Sequence, residues 1–244
     1  AKRLDNLVKE LVHAGVLERS TSPHNSPVVL VIKPGKADRV TVNYQHLNSR
    51  LKPSHFPLPK SPDLFQHARG AQWFSIMDAK SGYFQAPLAP ASRPLTAISS
   101  LSGHWQFCRM PMGISVAVSH FCQTLHRILA GLLYTKCLLF VDDICVYSSG
   151  TRDEHTRTVV EVLKRLDSAG VRLSREKSRF YLTEVQFLGH TLTRDGVKPL
   201  QSKVKAITKW PTPSTKKHVK SFLGLAGFYR MYIPEYSKIC YPLN

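Results

Sequence analysis

Cys137-Leu138-Leu139-Phe140-Val141-Asp142-Asp143-Ile144-Cys145-Val146-Tyr147 is an apolar run broken at its centre by two adjacent carboxylates. Burying one carboxylate without a partner is costly, and placing two side by side adds repulsion unless cations neutralise them. The pair therefore points to a metal site. The competing reading is a hairpin whose exposed turn happens to hold two acids, since Asp is a common turn residue. A third acid favours the metal: Phe74-Ser75-Ile76-Met77-Asp78 is a short β-type run ending on a carboxylate. Two strands that each deliver carboxylates to one end of a sheet can hold a pair of divalent ions, and hard oxygen ligands suit magnesium or manganese. Asp78, Asp142 and Asp143 form the candidate constellation.

Working outward, the chain has 244 residues, enough for one large domain or two to three small lobes. Its 34 Lys and Arg against 16 Asp and Glu give a formal charge of +18, which favours polyanions, nucleic acid first and an anionic membrane surface second. With so few acids, three at apolar strand ends are informative. Five cysteines are scattered without a Cys-x-x-Cys pair and read as small buried hydrophobes in a reducing compartment. The 11 histidines lack metal-ligand spacing. No apolar stretch approaches the ~20 residues that span a bilayer. The chain starts at Ala1 without a Met or an apolar signal region, which suggests a piece of a longer polyprotein.

Periodicity supplies the elements. Leu4, Leu7, Val8, Leu11 and Val12 predict an opening amphipathic helix stopped by Gly15. Val28–Lys33 and Arg39–Val42 read as a basic β-hairpin about Pro34-Gly35. Four prolines between Lys52 and Pro62 predict an extended connector. Residues 86–111 read as irregular to β, 115–134 as a helix, and 152–169 as a second helix with Thr151 and Glu154 as a capping box and Gly170 as its stop. Val185–Leu192 reads as one strand that turns at Asp195-Gly196. Beyond it, lysines around Pro211 and Pro213 predict two short basic helices suited to a phosphate backbone. The alternative there is a solvated lysine face. This order is that of an α+β sandwich, an antiparallel sheet with helices on one face, which several RNA-binding modules share.

Seven segments, in order, resemble the reverse transcriptase of gypsy-type long-terminal-repeat retrotransposons and their retroviral relatives. Ser26–Lys33 resembles the first fingers strand, Asn43-Tyr44-Gln45-His46-Leu47-Asn48 the Asp-Tyr-Arg-x-Leu-Asn motif, and Phe56-Pro57-Leu58-Pro59 the Tyr-Pro-Leu-Pro motif. Phe74–Asp78 through Ser81–Gln85 resembles the palm strand with the first catalytic aspartate, and Phe140-Val141-Asp142-Asp143 the aromatic-x-Asp-Asp signature. Phe187-Leu188-Gly189-His190 resembles the primer grip, and Ser221–Leu225 through Phe228-Tyr229-Arg230 the thumb.

The resemblance implies a right-hand polymerase, with fingers at 1–55 and 87–110, palm at 56–86 and 111–192, and thumb at 193–244. It implies that Asp78, Asp142 and Asp143 are catalytic and hold two magnesium ions, with manganese as substitute. Lys33 and Arg39 would neutralise the incoming triphosphate, Tyr83 would exclude a 2′-hydroxyl, and Met112 would sit in the nucleotide pocket. Leu188, Gly189 and His190 would grip the primer, and Lys203, Lys205, Lys216, Lys217 and Lys220 would track nucleic acid. Implied partners are an RNA template, a DNA primer, their RNA-DNA duplex and dNTPs, with no membrane. The setting would be intracellular (cytoplasm, virus-like particle or nucleus), within a polyprotein whose ribonuclease H and integrase regions have no counterpart in these residues. Several positions depart from the family pattern: Asn43 replaces Asp, Gln45 replaces Arg, Met112 replaces Gln or Phe, and Val116-Ala117-Val118 replaces Asn-Ala-Pro. They keep open a second reading, a decayed or co-opted copy that binds nucleic acid without catalysis.

Overall fold

A computed structural model describes residues 2–32, 35, 38–54 and 56–243. The predicted opening helix is α1 (Lys2–His13), and Gly15 supplies the left-handed φ of +66° that ends it. It is followed by β1 (Leu17–Arg19) and the hairpin of β2 (Val28–Val31) and β3 (Arg39–Val42), in which Val31 lies opposite Arg39. Lys33 lies outside the described residues. A single helical turn, α2 (Gln45–Asn48), leads into the proline-rich connector. That connector is shorter than predicted. Helix α3 (Ser61–His67) takes Pro62 into its first turn, where the missing N–H costs nothing because the first turn has no intrahelical acceptor.

Strand β4 (Trp73–Asp78) is next, then the 3-10 segments Gly82–Gln85 and Pro90–Thr96, and the hairpin of β5 (Ile98–Ser100) and β6 (Gly103–Phe107). β6 pairs with β1 on its other edge. One core gathers α1, β1, β3, β5 and β6 around Val8, Leu17, Val42, Tyr44, Ile98, Trp105 and Phe107.

Helix α4 (Ala117–Ile128) is shorter than the predicted 115–134, since residues 129–136 unwind through Gly131 at φ +80°. Strands β7 (Cys137–Phe140) and β8 (Asp143–Ser148) form the hairpin that carries the paired acids. Helix α5 (Arg152–Ser168) starts with the predicted box: the Glu154 N–H donates to Thr151 Oγ1 at 3.3 Å and the Thr151 N–H to Glu154 Oε2 at 2.7 Å. With β9 (Arg179–Leu182) these strands form one antiparallel sheet in the order β7-β8-β4-β9.

Both faces of that sheet are buried, which is why its strands read as continuous apolar runs instead of alternating ones. Met77, Ile144 and Val146 pack on Phe121 and Leu125 of α4 and on Val159 and Val162 of α5. Phe74, Leu138, Cys145 and Tyr147 point the other way, onto Leu64 and Phe65 of α3 and onto a second sheet. The predicted single strand at 185–192 is in fact two strands of that second sheet. β10 (Glu184–Phe187) and β11 (His190–Thr193) pair with Phe187 opposite His190, and β12 (Gly196–Pro199) completes the meander. Leu188 and Gly189 sit at φ +50° and +76°, both positive as in a type I′ turn. Leucine is a poor residue for that geometry, so Gly189 is the one turn signal the sequence carries there.

The basic tail forms α6 (Gln201–Thr208) and α7 (Lys216–Phe228), as predicted, with Trp210 against Phe222 at 6.2 Å. A third, unpredicted helix, α8 (Tyr236–Cys240), follows. Among the described residues no helix is long and apolar enough to cross a membrane.

His155 of α5 ties this helix to the sheet: its Nε2 lies 2.8 Å from Ser75 Oγ and its Nδ1 2.9 Å from Ser148 Oγ. The ring is fully buried, and burial pushes its pKa down. His155→Ala should cost about 2–4 kcal/mol in urea denaturation, through a cavity and two serines left short of a partner. A depressed histidine pKa gives stability that is present above the unfolded value and lost as pH falls. The gap between wild type and variant should therefore narrow below about pH 6.5.

Candidate active site

Strand register builds the site. β4 and β8 pair so that Asp78 lies directly opposite Asp143, at the end where both strands leave the sheet. Opposed residues on one face of an antiparallel pair have Cβ atoms about 5 Å apart, so two carboxylates meet there. Val141 and Asp142 are the two central residues of the β7–β8 turn, because Phe140 pairs with Asp143. Val141 holds φ at +58°, an outlier for a β-branched residue and the position where a type II′ turn favours glycine. Backbone strain is thus stored next to the acids.

Two of the three acids are shifted by their surroundings. Burial, then the Asp142 and Asp78 charges, raise the Asp143 pKa to about 6. Burial raises that of Asp142, with the Asp78 charge adding to it. The opposing cation is Lys177, whose Nζ lies 3.0 and 3.1 Å from the two Asp78 oxygens. It reaches there because residues 172–174 run antiparallel to the end of β4. The Lys80 N–H donates to Arg172 O at 2.9 Å and the Ser174 N–H to Asp78 O at 2.8 Å. One ammonium, 62% exposed, offsets only part of three negative charges.

This donor set fits divalent cations. The carboxylates are all oxygen donors, and burial, with neighbouring carboxylate charge after it, raises two of them. They do not form a closed cage: among the described residues no three Asp, Glu, His or Cys side chains converge closely enough for that. An open carboxylate edge suits magnesium, which is commonly held by one or two carboxylates together with substrate phosphates.

Beside the acids lies a cavity of about 340 Å³. Of the sequence-predicted residues it gathers Arg39, Tyr83, Met112 and Asp142, and Lys177 also lines it. Tyr83 is set by the 3-10 turn Gly82–Gln85 and meets Phe121 edge-on at 5.7 Å. The Gln85 amide holds that turn in place: its Nε2 donates to Lys80 O at 2.6 Å and Arg172 O at 2.9 Å, while the Arg172 N–H donates to its Oε1 at 2.7 Å.

A family model described as reverse transcriptase (RNA-dependent DNA polymerase) matches residues 31–192, two thirds of the chain. The chain belongs to the reverse transcriptase family. It is 36% identical over 99% of its length to the retrovirus-related Pol polyproteins of transposons 297 and gypsy from Drosophila melanogaster. It spans about a quarter of the length of those relatives, 23% and 24%. Among solved structures, the foamy viral protease-reverse transcriptase in complex with double-stranded DNA superposes over 99% of this chain and 42% of its own, with a TM-score of 0.92 at 27% identity. The same enzyme in complex with an RNA/DNA hybrid gives a TM-score of 0.87 at 27% identity, over 98% of this chain and 32% of its own. The architecture is the α+β polymerase fold of that family.

Among the described residues, the other sequence-predicted positions lie outside the cavity. Leu188 and Gly189 form the β10–β11 turn, and the Gly189 carbonyl accepts from the Tyr229 hydroxyl at 2.7 Å. His190 is only 3% exposed, ringed by Phe65, Phe228, Tyr229 and Tyr232, with Nδ1 2.7 Å from the Tyr232 hydroxyl. Its imidazole joins the second sheet to the C-terminal helices. Lys203 and Lys205 on α6, and Lys216, Lys217 and Lys220 on α7, are all exposed. Sequence reasoning missed Lys177 and the α1 residues Leu7, Glu10 and Leu11 in the cavity wall, and the role of Gln85 behind it. Lys177 is one cation among 34 and sits in no pattern, so nothing in the sequence singles it out.

A carboxylate raised to about 6 opposes folding where it is charged, an effect complete above that pH and absent below the ordinary carboxylate range. In metal-free buffer Asp143→Asn should raise Tm at pH 7–8, and the gain should vanish as pH falls toward about 4. Magnesium should stabilise wild type at pH 7.5 and not the variant, as a thermal melt with and without the ion reads directly.

Proposed function

We propose that this chain is the RNA-directed DNA polymerase domain of a retroelement, extending a primer 3′-hydroxyl with dNTPs on an RNA or DNA template. The observation that carries the reading is the convergence of Asp78 opposite Asp143, with Asp142 opening into the cavity that also holds Arg39, Tyr83, Met112 and Lys177. A carboxylate edge next to a cationic, aromatic-walled cavity is what joining a hydroxyl to a nucleoside triphosphate requires.

Asp78, Asp142 and Asp143 would hold the divalent ions, which when bound supply Lewis-acid activation of the hydroxyl and neutralisation of the transferring phosphoryl group. Arg39 binds the triphosphate from the β2–β3 side and Lys177 from the β9 side, with Lys33, six residues before Arg39 in sequence, as a further cation. Tyr83 lies under the sugar, held there by the Gln85 bonds and Phe121, and its ring leaves no room for a 2′-hydroxyl. The Leu188-Gly189 turn presents backbone to the primer, while His190 acts from behind by fixing the turn to the C-terminal helices. The exposed lysines of α6 and α7 face the duplex backbone.

In this reading the fingers are residues 1–55 and 87–110, the palm 56–86 and 111–192, and the thumb 193–244. The core shared by α1, β1, β3, β5 and β6, drawn from both proposed fingers segments, supports the first of these. The partners are RNA template, DNA primer and their duplex, a reading supported by the foamy viral complexes with double-stranded DNA and with an RNA/DNA hybrid, and the relatives' being Pol polyproteins supports a place within a longer chain. A second reading, a copy that binds duplex without turnover, draws on Glu10 and Asp38, two acids in the wall of a cavity meant for a triphosphate.

Primer extension on an RNA template with magnesium and dNTPs separates the two. Polymerase activity predicts elongated product, lost by at least about 1000-fold in Asp142→Asn with duplex affinity unchanged. Tight duplex binding with no extension by wild type would establish the second reading. Tyr83→Val should raise incorporation of ribonucleotides relative to deoxyribonucleotides by about tenfold or more.

A further inference from the structure

The segment Asn43–Asn48 is one of the seven resembling motifs, yet none of its side chains lines the nucleotide cavity. We propose that Asn48 is a positioning residue for that cavity, clamping the Met112-Gly113 turn that forms one of its walls. This rests on the polymerase reading above and deepens it.

The clamp is bidentate. Asn48 Nδ2 donates to Gly113 O at 2.9 Å, and the Ser115 N–H donates to Asn48 Oδ1 at 2.9 Å. One amide thus bonds the backbone on both sides of residue 114, and only Asn, with a donor and an acceptor on a short stem, does both. From the other side β3 closes the vice. Gly113 holds φ at +102°, and a Cβ there would stand 2.8 Å from the Val42 carbonyl oxygen. Both conditions demand glycine.

The support on which Asn48 stands is rigid. Tyr44 is buried and its hydroxyl donates to Thr96 O at 3.0 Å. The Gln45 N–H donates to Asn43 Oδ1 at 3.0 Å, so the Asn in place of the family's Asp still caps the turn. One end of α2 is therefore sunk in the core and its other end holds the cavity wall. A methionine wall needs this. Met has three rotatable side-chain bonds and fills space adaptably, so Met112 gives the pocket a definite shape only if its backbone is fixed from outside.

The test is nucleotide binding to the protein on a dideoxy-terminated primer–template with magnesium, which reads the pocket without requiring catalysis. Asn48→Ala should weaken dNTP binding about tenfold, the equivalent of two lost hydrogen bonds, and leave primer–template affinity within about twofold. Asn48→Asp, which keeps the acceptor for Ser115 but turns an oxygen toward the Gly113 carbonyl, should weaken it as much. Gly113→Ala should do the same by the independent route, and the double variant Asn48→Ala/Gly113→Ala should be less than additive because both loosen one wall. In extension assays the loss should fall on KM for dNTP and spare kcat.

Unchanged dNTP affinity in Asn48→Ala, with wild type binding normally, would overturn the inference alone. Equal losses in dNTP affinity, duplex affinity and Tm would reduce Asn48 to a fold-stabilising role and overturn it too. Wild type that binds duplex but no dNTP would overturn the polymerase reading, and the inference with it.

Discussion

Placing Asp78 opposite Asp143 depends on a sheet that is dry on both faces. A strand pair with one face in water tolerates slippage; here a shift of one residue would send Phe74, Leu138, Cys145 and Tyr147 into the α4–α5 core and Met77, Ile144 and Val146 into the other. Two independent cores must agree on one register. That agreement holds the carboxylates together, and burial first, then their mutual repulsion, raises the pKa values of Asp142 and Asp143.

The site is assembled around this pair from distant parts of the chain. The residues 172–174 strip carries Lys177 over Asp78, and Gln85 ties the same strip to the turn that bears Tyr83. Arg39 arrives from the β2–β3 hairpin and Met112 from the turn that Asn48 clamps. Backbone-directed amide side chains do much of the placing, so that the groups facing the cavity are free to meet a ligand. The second sheet plays the corresponding part for the C-terminal helices: His190 and Gly189 are bonded to Tyr232 and Tyr229, so a shift of α7 moves the Leu188-Gly189 turn with it.

Legibility from sequence followed the strength of local signals. The hairpin of acids, α1 and α5 with their stops, and the β2–β3 hairpin were readable because apolar period, capping box and turn residues coincided. The 185–192 segment was misread because its turn is built on Leu188, a residue that lacks the usual preference for positive φ and is held there by packing. Helix α3 hid behind prolines, one of which is its own first turn. Lys177 and Asn48 carried no local pattern; both act through partners about 65 to 100 residues away in sequence.

By itself the sequence determined most of the longer elements, the three aspartates and, through seven ordered motifs, the family. Those follow from information within a few residues: period, turn chemistry and the cost of an acid in an apolar run. Tertiary structure alone decided that Asp78 faces Asp143, that Lys177 is their counter-charge, that His190 is an interior strut and that Asn48 holds a wall it does not line. The reason is physical. Strand register and side-chain clamps are set by which buried surfaces fit, and that fit joins residues with no sequence relation to one another.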